Sequence, residues 1–247
     1  MKSIVAIATG LSLALGSAAA SAQVREPLGD QGQFVIGAER LTGVFVNRWT
    51  EEQELGALTQ TNTQSTTTVG LLGSSATGPL GGDKLGAFSS MPRLSFDYFV
   101  IDGLSIGGSL FYYSNAGEAE VEQEGPGANP RFEADLDTDR LFVLSPRVGY
   151  AISFSDSFAF WPRGGITYVS ATAEADSGAE ASASVWALSL EAMFAITPVP
   201  HFAILLGPYL DVAPFGGLDR EPPGAPTEES DLSYLSFGAS AGIGVYF

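Results

Sequence analysis

The chain has 247 residues, a formal net charge of −17 from 11 Lys and Arg against 28 Asp and Glu, and no cysteine. A chain this acidic disfavours nucleic acid and anionic lipid surfaces as partners, and without cysteine neither disulfides nor thiolate metal sites can form. Its 30 glycines and 14 prolines, beside many aromatic residues, favour an all-β fold with many turns.

The amino terminus has the three parts of a secretory signal peptide. A basic start at Lys2 precedes an apolar run over Ile4–Leu15, and Ala20-Ser21-Ala22 follows as an A-x-A cleavage site. We therefore expect residues 1–22 to be a signal peptide and residues 23–247 to form one β-barrel domain. The apolar run is shorter than the ~20 residues that a membrane-spanning helix needs, and no later stretch approaches that length.

A first strand is predicted over Gln33–Trp49, where apolar and polar residues alternate. The alternation slips near Arg40, which predicts a β-bulge or an uncertain register there. The next stretch, Thr50–Ser90, is rich in Thr, Ser and Gly and has no apolar period. We therefore predict a long loop, mobile at its run of threonines.

Seven further strands are predicted from the alternation of apolar residues with small or polar ones. They are Met91–Val100, Leu104–Asn115, Arg140–Phe154, Phe158–Ala171, Ser184–Thr197, His201–Ala213 and Tyr234–Phe247. Short turns fall at 101–103, 155–157 and 198–200, and the other connections are longer. One of these is a Pro- and acid-rich loop over Phe215–Ser233.

The connections alternate between long and short, which is the pattern of an up-and-down barrel crossing a membrane with both chain ends on one side. The number of strands is even, and each reaches the ~9–11 residues that a tilted transmembrane strand needs. A closed barrel is also the arrangement in which strands pair every backbone group in lipid. The sequence therefore predicts an all-β fold, an eight-stranded antiparallel transmembrane β-barrel.

Strand parity does not by itself say which face meets lipid. One face carries Leu, Ile, Val and aromatic residues, and the other carries mostly Gly and Ser with a few charges. Because an eight-stranded barrel has room inside for little more than side chains, we place the small face in the lumen and the apolar face towards lipid. Aromatic residues near the strand ends are predicted to form interface girdles. They are Trp49, Tyr98, Phe99, Tyr112, Phe154, Phe158, Phe202, Tyr234 and Phe247.

The last strand alternates apolar residues with small ones and stops on an aromatic residue, Phe247. With this strand, its strand count and its turn pattern, the chain resembles the small eight-stranded bacterial outer-membrane β-barrels of the OmpA transmembrane-domain, OmpX and OmpW type. The resemblance implies a location in the outer membrane with both mature termini in the periplasm. It also implies that Phe247 is an assembly signal, which the barrel assembly machinery reads through the C-terminal strand.

The lumen face carries charges that must find partners, because an unpaired buried charge is very costly. Six of them are predicted to form one network: Arg93, Asp97, Arg147, Arg163, Glu191 and Asp211. Glu39 is a possible further member. One interpretation is a structural salt-bridge plug, and the other is a gated or narrow ion path lined by these charges.

These observations favour a non-enzymatic outer-membrane protein with a structural or surface-interaction role, exerted through acidic extracellular loops. The stretch Glu118–Asp139 is acidic and alternates in part, which indicates a hairpin extending past the membrane. It lacks the ligand spacing of a calcium loop, so we favour a solvated acidic surface. The single histidine, His201, falls at a predicted periplasmic turn, away from where a surface catalytic site would need it.

Two alternatives stay open. The first is a narrow porin-like channel for ions or small solutes, and the second is a soluble secreted β-barrel binding protein. We expect no cofactor, no metal and no nucleic acid. The expected partners are outer-membrane lipid and the barrel assembly machinery, with no extracellular ligand specified.

Overall fold

The structure, a computed structural model, describes residues 27–55, 58–71, 90–121, 132–175 and 178–247. The strands are β1 (Phe34–Leu55), β2 (Leu58–Leu71), β3 (Arg93–Ile101), β4 (Leu104–Val121), β5 (Phe132–Tyr150), β6 (Ile152–Ser155), β7 (Phe158–Glu174), β8 (Glu180–Val199), β9 (Phe202–Glu221) and β10 (Glu228–Tyr246). No helix within those residues is long and apolar enough to cross a membrane. The predicted signal peptide, residues 1–22, lies outside the described part of the chain.

The strands occupy eight positions in one closed antiparallel sheet. β2 and β3 both pair with β1, β2 along residues 42–55 and β3 along residues 34–39, so together they fill one position. β6 follows β5 and pairs with β7. The other neighbours follow in chain order, and β10 pairs with β1 to close the ring. The predicted eight-stranded antiparallel barrel is therefore confirmed.

Tight turns join the strands at one end of the barrel, which we call the turn end. Between β3 and β4 the chain reverses at Gly103, which has φ +79° and whose added Cβ would lie 2.9 Å from the Ala151 carbonyl oxygen. Glycine suits this position because it adopts positive φ freely and has no Cβ to clash. Short turns also join β6 to β7 and β8 to β9, so all three short turns lie where the sequence predicts them.

At the opposite end, which we call the outer end, the strands run further than predicted. The predicted loop over Thr50–Ser90 is wrong in its first part, because β1 continues to Leu55 and β2 pairs with it along 14 residues. The predicted loop over Phe215–Ser233 shortens to residues 222–227. Threonine favours strands through its branched Cβ, but a hairpin that is polar on both faces has no apolar alternation to reveal it.

Among the described residues, the barrel wall is interrupted beside β1, where β2 ends at Leu71 and β3 begins at Arg93. β3 pairs with β4 only as far as Leu110. The outer part of β4 pairs with β5 out to the end of their hairpin, as the acidic alternation indicates. Within the described ranges, no ladder joins that part of β4 to β2.

Side-chain exposure agrees with the predicted assignment of faces. Leu188 and Leu190 are 55% and 48% exposed on the outer surface, whereas Ser189 between them is 6% exposed. Large apolar side chains continue around the wall as an exposed belt. It includes Phe96, Ile106, Tyr112, Val148, Ile166, Trp186, Leu206, Phe215 and Ile243.

Three of the predicted girdle residues point into the barrel instead. Trp49, Phe99 and Tyr234 are buried, with exposures of 5%, 0% and 5%. Phe99 follows the exposed Tyr98, and neighbours on a regular strand face opposite sides. The two residues therefore cannot both belong to an outer girdle.

Candidate functional site

A β-bulge in β1 turns two consecutive charged side chains into the barrel. The register between β1 and β10 shifts between Ala38 and Thr42, and Arg40 has φ +54°. On a regular strand Glu39 and Arg40 would face opposite sides, but their exposures are only 2% and 1%. The bulge predicted near Arg40 is confirmed, and it brings an additional cation into the interior.

Glu39 is held by arginines from two other strands. Arg147 of β5 donates two hydrogen bonds to the Glu39 carboxylate, from Nη1 to Oε2 at 2.7 Å and from Nη2 to Oε1 at 2.8 Å. The contact is therefore bidentate. Arg163 of β7 donates Nη1 to Glu39 Oε1 at 2.6 Å. Arg147 also donates Nε to Asp97 Oδ1 of β3 at 3.1 Å. These contacts tie four strands together across the lumen.

A second set of contacts centres on Arg40. Its Nη1 donates to Asp211 Oδ2 at 2.9 Å, and its guanidinium carbon lies 4.4 Å from the centroid of the Tyr209 ring. Its Nη2 lies 3.5 Å from Glu191 Oε1. Glu191 Oε2 is in turn 2.7 Å from Arg163 Nη2. Glu191 therefore joins this set to the contacts around Glu39.

The structure places all six charged residues of the predicted network in this interior layer, with Glu39 and Arg40 beside them. Arg93 is 3% exposed and lies opposite Glu39 in the ladder. The sequence analysis did not assign Arg40 to the network, because regular alternation places the residue after an inward Glu39 on the outer face. The slip in apolar alternation was the one signal for it.

We call these eight residues the charge layer. It holds four carboxylates and four guanidiniums: Glu39, Asp97, Glu191 and Asp211 with Arg40, Arg93, Arg147 and Arg163. With every group ionised the layer is neutral. Pairing of this kind offsets the desolvation that an isolated buried charge would suffer.

Apolar side chains fill the interior on both sides of the charge layer. Phe99, Trp161 and Leu205 pack at the turn end, and another cluster, which includes Val143 and Val169, packs at the outer end. The lumen is therefore less dominated by Gly and Ser than predicted. Small residues instead make room for a few large ones, since a Cβ on Gly149 would lie 2.6 Å from Trp161 Nε1.

The segment before β1 lies across the mouth of the barrel at the turn end. Leu28 is 2% exposed within the apolar cluster there. Its carbonyl accepts a hydrogen bond from Ser153 Oγ at 2.6 Å, and the Gly29 carbonyl accepts one from the Gly103 amide at 2.7 Å. These contacts fix the segment as a cover over the interior.

The outer end is acidic. Outside residues 117–121 and 132–137 of the β4–β5 hairpin, the described strands carry eleven carboxylates there against three arginines, Arg48, Arg140 and Arg220. The carboxylates are Glu51, Glu52, Glu54, Asp139, Glu174, Glu180, Asp219, Glu221, Glu228, Glu229 and Asp231. In the described part of the chain, no group of three or more His, Asp or Glu is arranged to hold a metal ion.

Carboxylates at the outer end face one another across strands. Glu180 lies opposite Glu174 in one ladder and opposite Glu221 in the next, and like charges in this arrangement repel. Glu51 differs, because a hydrogen bond from Arg220 holds the pKa of its carboxyl below the ordinary value of 4.5, against the opposing effect of partial burial.

His201 and Phe247 lie together at the turn end. His201 has φ +64°, and its Nδ1 is 2.9 Å from the Tyr246 carbonyl oxygen. Phe247 exchanges two backbone hydrogen bonds with Phe34, both 3.1 Å long. The Phe247 ring lies 5.2 Å from the Phe34 ring and 6.1 Å from the His201 ring, so the last residue is part of the sheet.

Comparison with known proteins supports the same architecture. No protein-family model and no curated protein matches the chain. The outer membrane protein OprG from Pseudomonas aeruginosa is similar in structure, with 13% identity, a TM-score of 0.52, and coverage of 91% of this chain and 99% of that one.

Two further outer-membrane proteins align over most of their length. AlkL in lipid bilayers has 13% identity and a TM-score of 0.49, with 93% of this chain and 96% of that chain covered. Neisserial surface protein A has 12% identity and a TM-score of 0.41, with 85% and 99% covered. Together with the closed ring of strands, the similarity to OprG shows that this chain has the fold of the small eight-stranded outer-membrane β-barrels.

Proposed function

We propose that this chain is a non-enzymatic outer-membrane protein whose interior is a structural plug and whose role is surface interaction at the acidic outer end. The charge layer carries this proposal. Three of its guanidiniums contact its four carboxylates, Arg93 is buried beside them, and the layer lies between two packed apolar clusters. An ion crossing the barrel axis would have to break several of these buried pairs, which is costly.

The exposed apolar belt supports lipid as a partner, since it encircles the wall while the polar groups lie inside. The tight turns support a periplasmic turn end and extracellular outer strands, because outer-membrane barrels keep their short turns on the periplasmic side. We include no cofactor and no nucleic acid in the proposal.

Phe247 supports the barrel assembly machinery as a second partner. Deleting Phe247 should lower the folded, membrane-inserted fraction while export continues. The measurement is heat-modifiable mobility on an unboiled gel, and the control is deletion of Gln23. Normal folded yield without Phe247 contradicts its role as an assembly signal.

A narrow channel is the second candidate function. The missing ladder between β2 and the outer part of β4 favours it, because the wall is not closed by backbone hydrogen bonds there among the described residues. The apolar cluster at the outer end would then line a sideways route for small apolar solutes.

Planar-bilayer recording separates the two functions. The plug predicts no stepwise ion conductance from the intact protein, whereas an axial channel conducts. Vesicles loaded with an apolar dye test the sideways route, and dye exchange above that of protein-free vesicles favours the channel. Extraction of the protein without detergent contradicts both and favours the soluble barrel binding protein.

A further inference from the structure

Within the part of the chain that the structure describes, β2 presents an unprotected sheet edge. It pairs with β1 along 14 residues without a register shift, and with no other strand among the described residues. Natural edge strands are usually blunted by charged side chains, proline or bulges. Between Leu58 and Leu71 the chain has none of these features.

The outer half of β2, Leu58–Ser65, begins level with the apolar belt, because the ladder from Ser65 leads around the barrel to Leu188. It extends beyond the belt at Leu58–Thr61, where all four side chains are exposed. The ladder level of Thr61 can be followed around the barrel through Glu52, Asp231 and Gly217 to Ser184. Ser184 lies two residues beyond Trp186 of the belt, towards the outer end. A partner in the surrounding solution can therefore reach this half of the edge.

The strand beside this edge is acidic. Glu52 and Glu54 of β1 are exposed and lie opposite Thr61 and Thr59 of β2. A strand added to the free edge would lie two strand spacings, roughly 10 Å, from these carboxylates. Charges at that separation still interact at low and physiological salt, where the Debye length is about 8–10 Å or more. The edge itself is neutral, so the neighbouring acids decide which partner charge is favoured.

We propose that the outer half of β2 binds an extended segment of a partner protein that carries lysine or arginine, by strand addition. This proposal rests on the surface-interaction function and names the chemistry of its partner. Main-chain hydrogen bonds to the free edge supply affinity. Glu52 and Glu54 supply the preference for cations and speed the encounter.

Labelled peptides test the proposal by fluorescence anisotropy with the full-length barrel in neutral detergent micelles. The probe alternates threonine and lysine, and three matched peptides replace lysine by serine, replace lysine by glutamate, or replace threonine by proline. The lysine peptide should bind best, the serine peptide more weakly, and the glutamate peptide least. The proline peptide keeps the charge but cannot form a ladder, so it should lose most of the binding.

Two lysine substitutions at one ladder level provide the matched control. Thr61→Lys places a charge on the free edge, and Ser184→Lys places the same charge on a strand paired at both edges. Thr61→Lys should weaken binding of the lysine and serine peptides about tenfold or more, and Ser184→Lys less than about twofold. Glu52→Gln with Glu54→Gln should reduce the advantage of the lysine peptide and leave the serine peptide unchanged. Heat-modifiable mobility verifies that each variant is folded.

Four outcomes overturn the proposal. They are no binding of the lysine peptide, equal binding of the proline peptide, binding that appears only after residues 72–89 are excised, and a concentration-dependent dimer that Thr61→Lys abolishes. The last two assign the edge to the chain itself or to a second copy. Conductance is measured separately from peptide binding. A barrel that conducts ions and still binds the lysine peptide contradicts the structural plug but not the binding site at the edge of β2.

Discussion

The charge layer and the outer end use the same residue types under opposite conditions. In the charge layer, four carboxylates meet four guanidiniums at low exposure. At the outer end, outside residues 117–121 and 132–137, eleven carboxylates face three arginines, and most of the eleven contact water. Water and salt can stabilise the excess at the outer end, whereas a dry interior requires a partner for each charge. The number of acidic residues alone therefore does not predict how the charges of either region are stabilised.

Removing one buried carboxylate should have the largest effect. Glu39→Gln removes one of the carboxylates that Arg147 and Arg163 share and leaves the charge layer with one excess positive charge. The free energy of unfolding should fall by ~3–5 kcal/mol. Urea unfolding in lipid vesicles, followed by tryptophan fluorescence, measures the loss. Glu180→Gln at the outer end is the matched control, and surface changes of this kind stay within about 0.5 kcal/mol. Equal midpoints for the two variants would mean that the charge layer is not a buried network.

A single charge moved along the outer face of β8 should have the next largest effect. Leu190→Lys places a cation in the apolar belt and should cost ~2–4 kcal/mol if that position lies near the bilayer midplane. Ser184→Lys, on the same face but nearer the outer end, should cost little because water reaches it. Folding yield into vesicles of matched lipid measures both. If Ser184→Lys proves the less tolerated, the belt does not face lipid.

A change in ionic strength should have a smaller effect on stability, and this effect should arise at the outer end and not in the charge layer. Raising salt from about 0.01 M to 1 M shortens the Debye length from ~30 Å to ~3 Å, which screens repulsion among the outer carboxylates. The native barrel should therefore gain up to about 1 kcal/mol, and Glu180→Gln should gain less because one repelling group is gone. Glu39→Gln should gain as much as the native protein. If salt stabilises the Glu39→Gln variant less than the native protein, the charge layer is accessible to salt.

The ion pair of Glu51 and Arg220 should show the smallest effect, of about 0–1 kcal/mol, because the Arg220 side chain is 37% exposed and water screens the pair. Because Arg220 lowers the pKa of Glu51 in the folded protein, the stabilisation is present above the ordinary value of 4.5 and is lost as pH falls through the lower folded pKa. Arg220→Gln should therefore destabilise at pH 7 and match the native protein once Glu51 is protonated. A difference that persists in strong acid would assign the role of Arg220 to packing, with Glu52→Gln as the control.

Much of the fold could be predicted from the sequence because its physical cause is local. Period-two alternation assigned Leu188 and Leu190 to the outer face and Ser189 to the interior, as their exposures show. Tight-turn residues located the three short connections. The alternation of side chains along each strand assigned six charged residues to the lumen, and the structure places all six in one layer. They are Arg93, Asp97, Arg147, Arg163, Glu191 and Asp211.

Other features required the tertiary structure because their cause lies on another strand. Arg40 faces inward only because the register of β1 against β10 shifts at its bulge. The pairing of β2 with β1 depends on backbone hydrogen bonds, and neither β2 nor the part of β1 beyond Trp49 shows the apolar alternation that would predict it. The sequence by itself determined the strand parity that turns the six predicted charged residues towards the lumen. The shape of the closed barrel decided which charges meet, because ion pairing depends on distances across the lumen that no spacing along one strand contains.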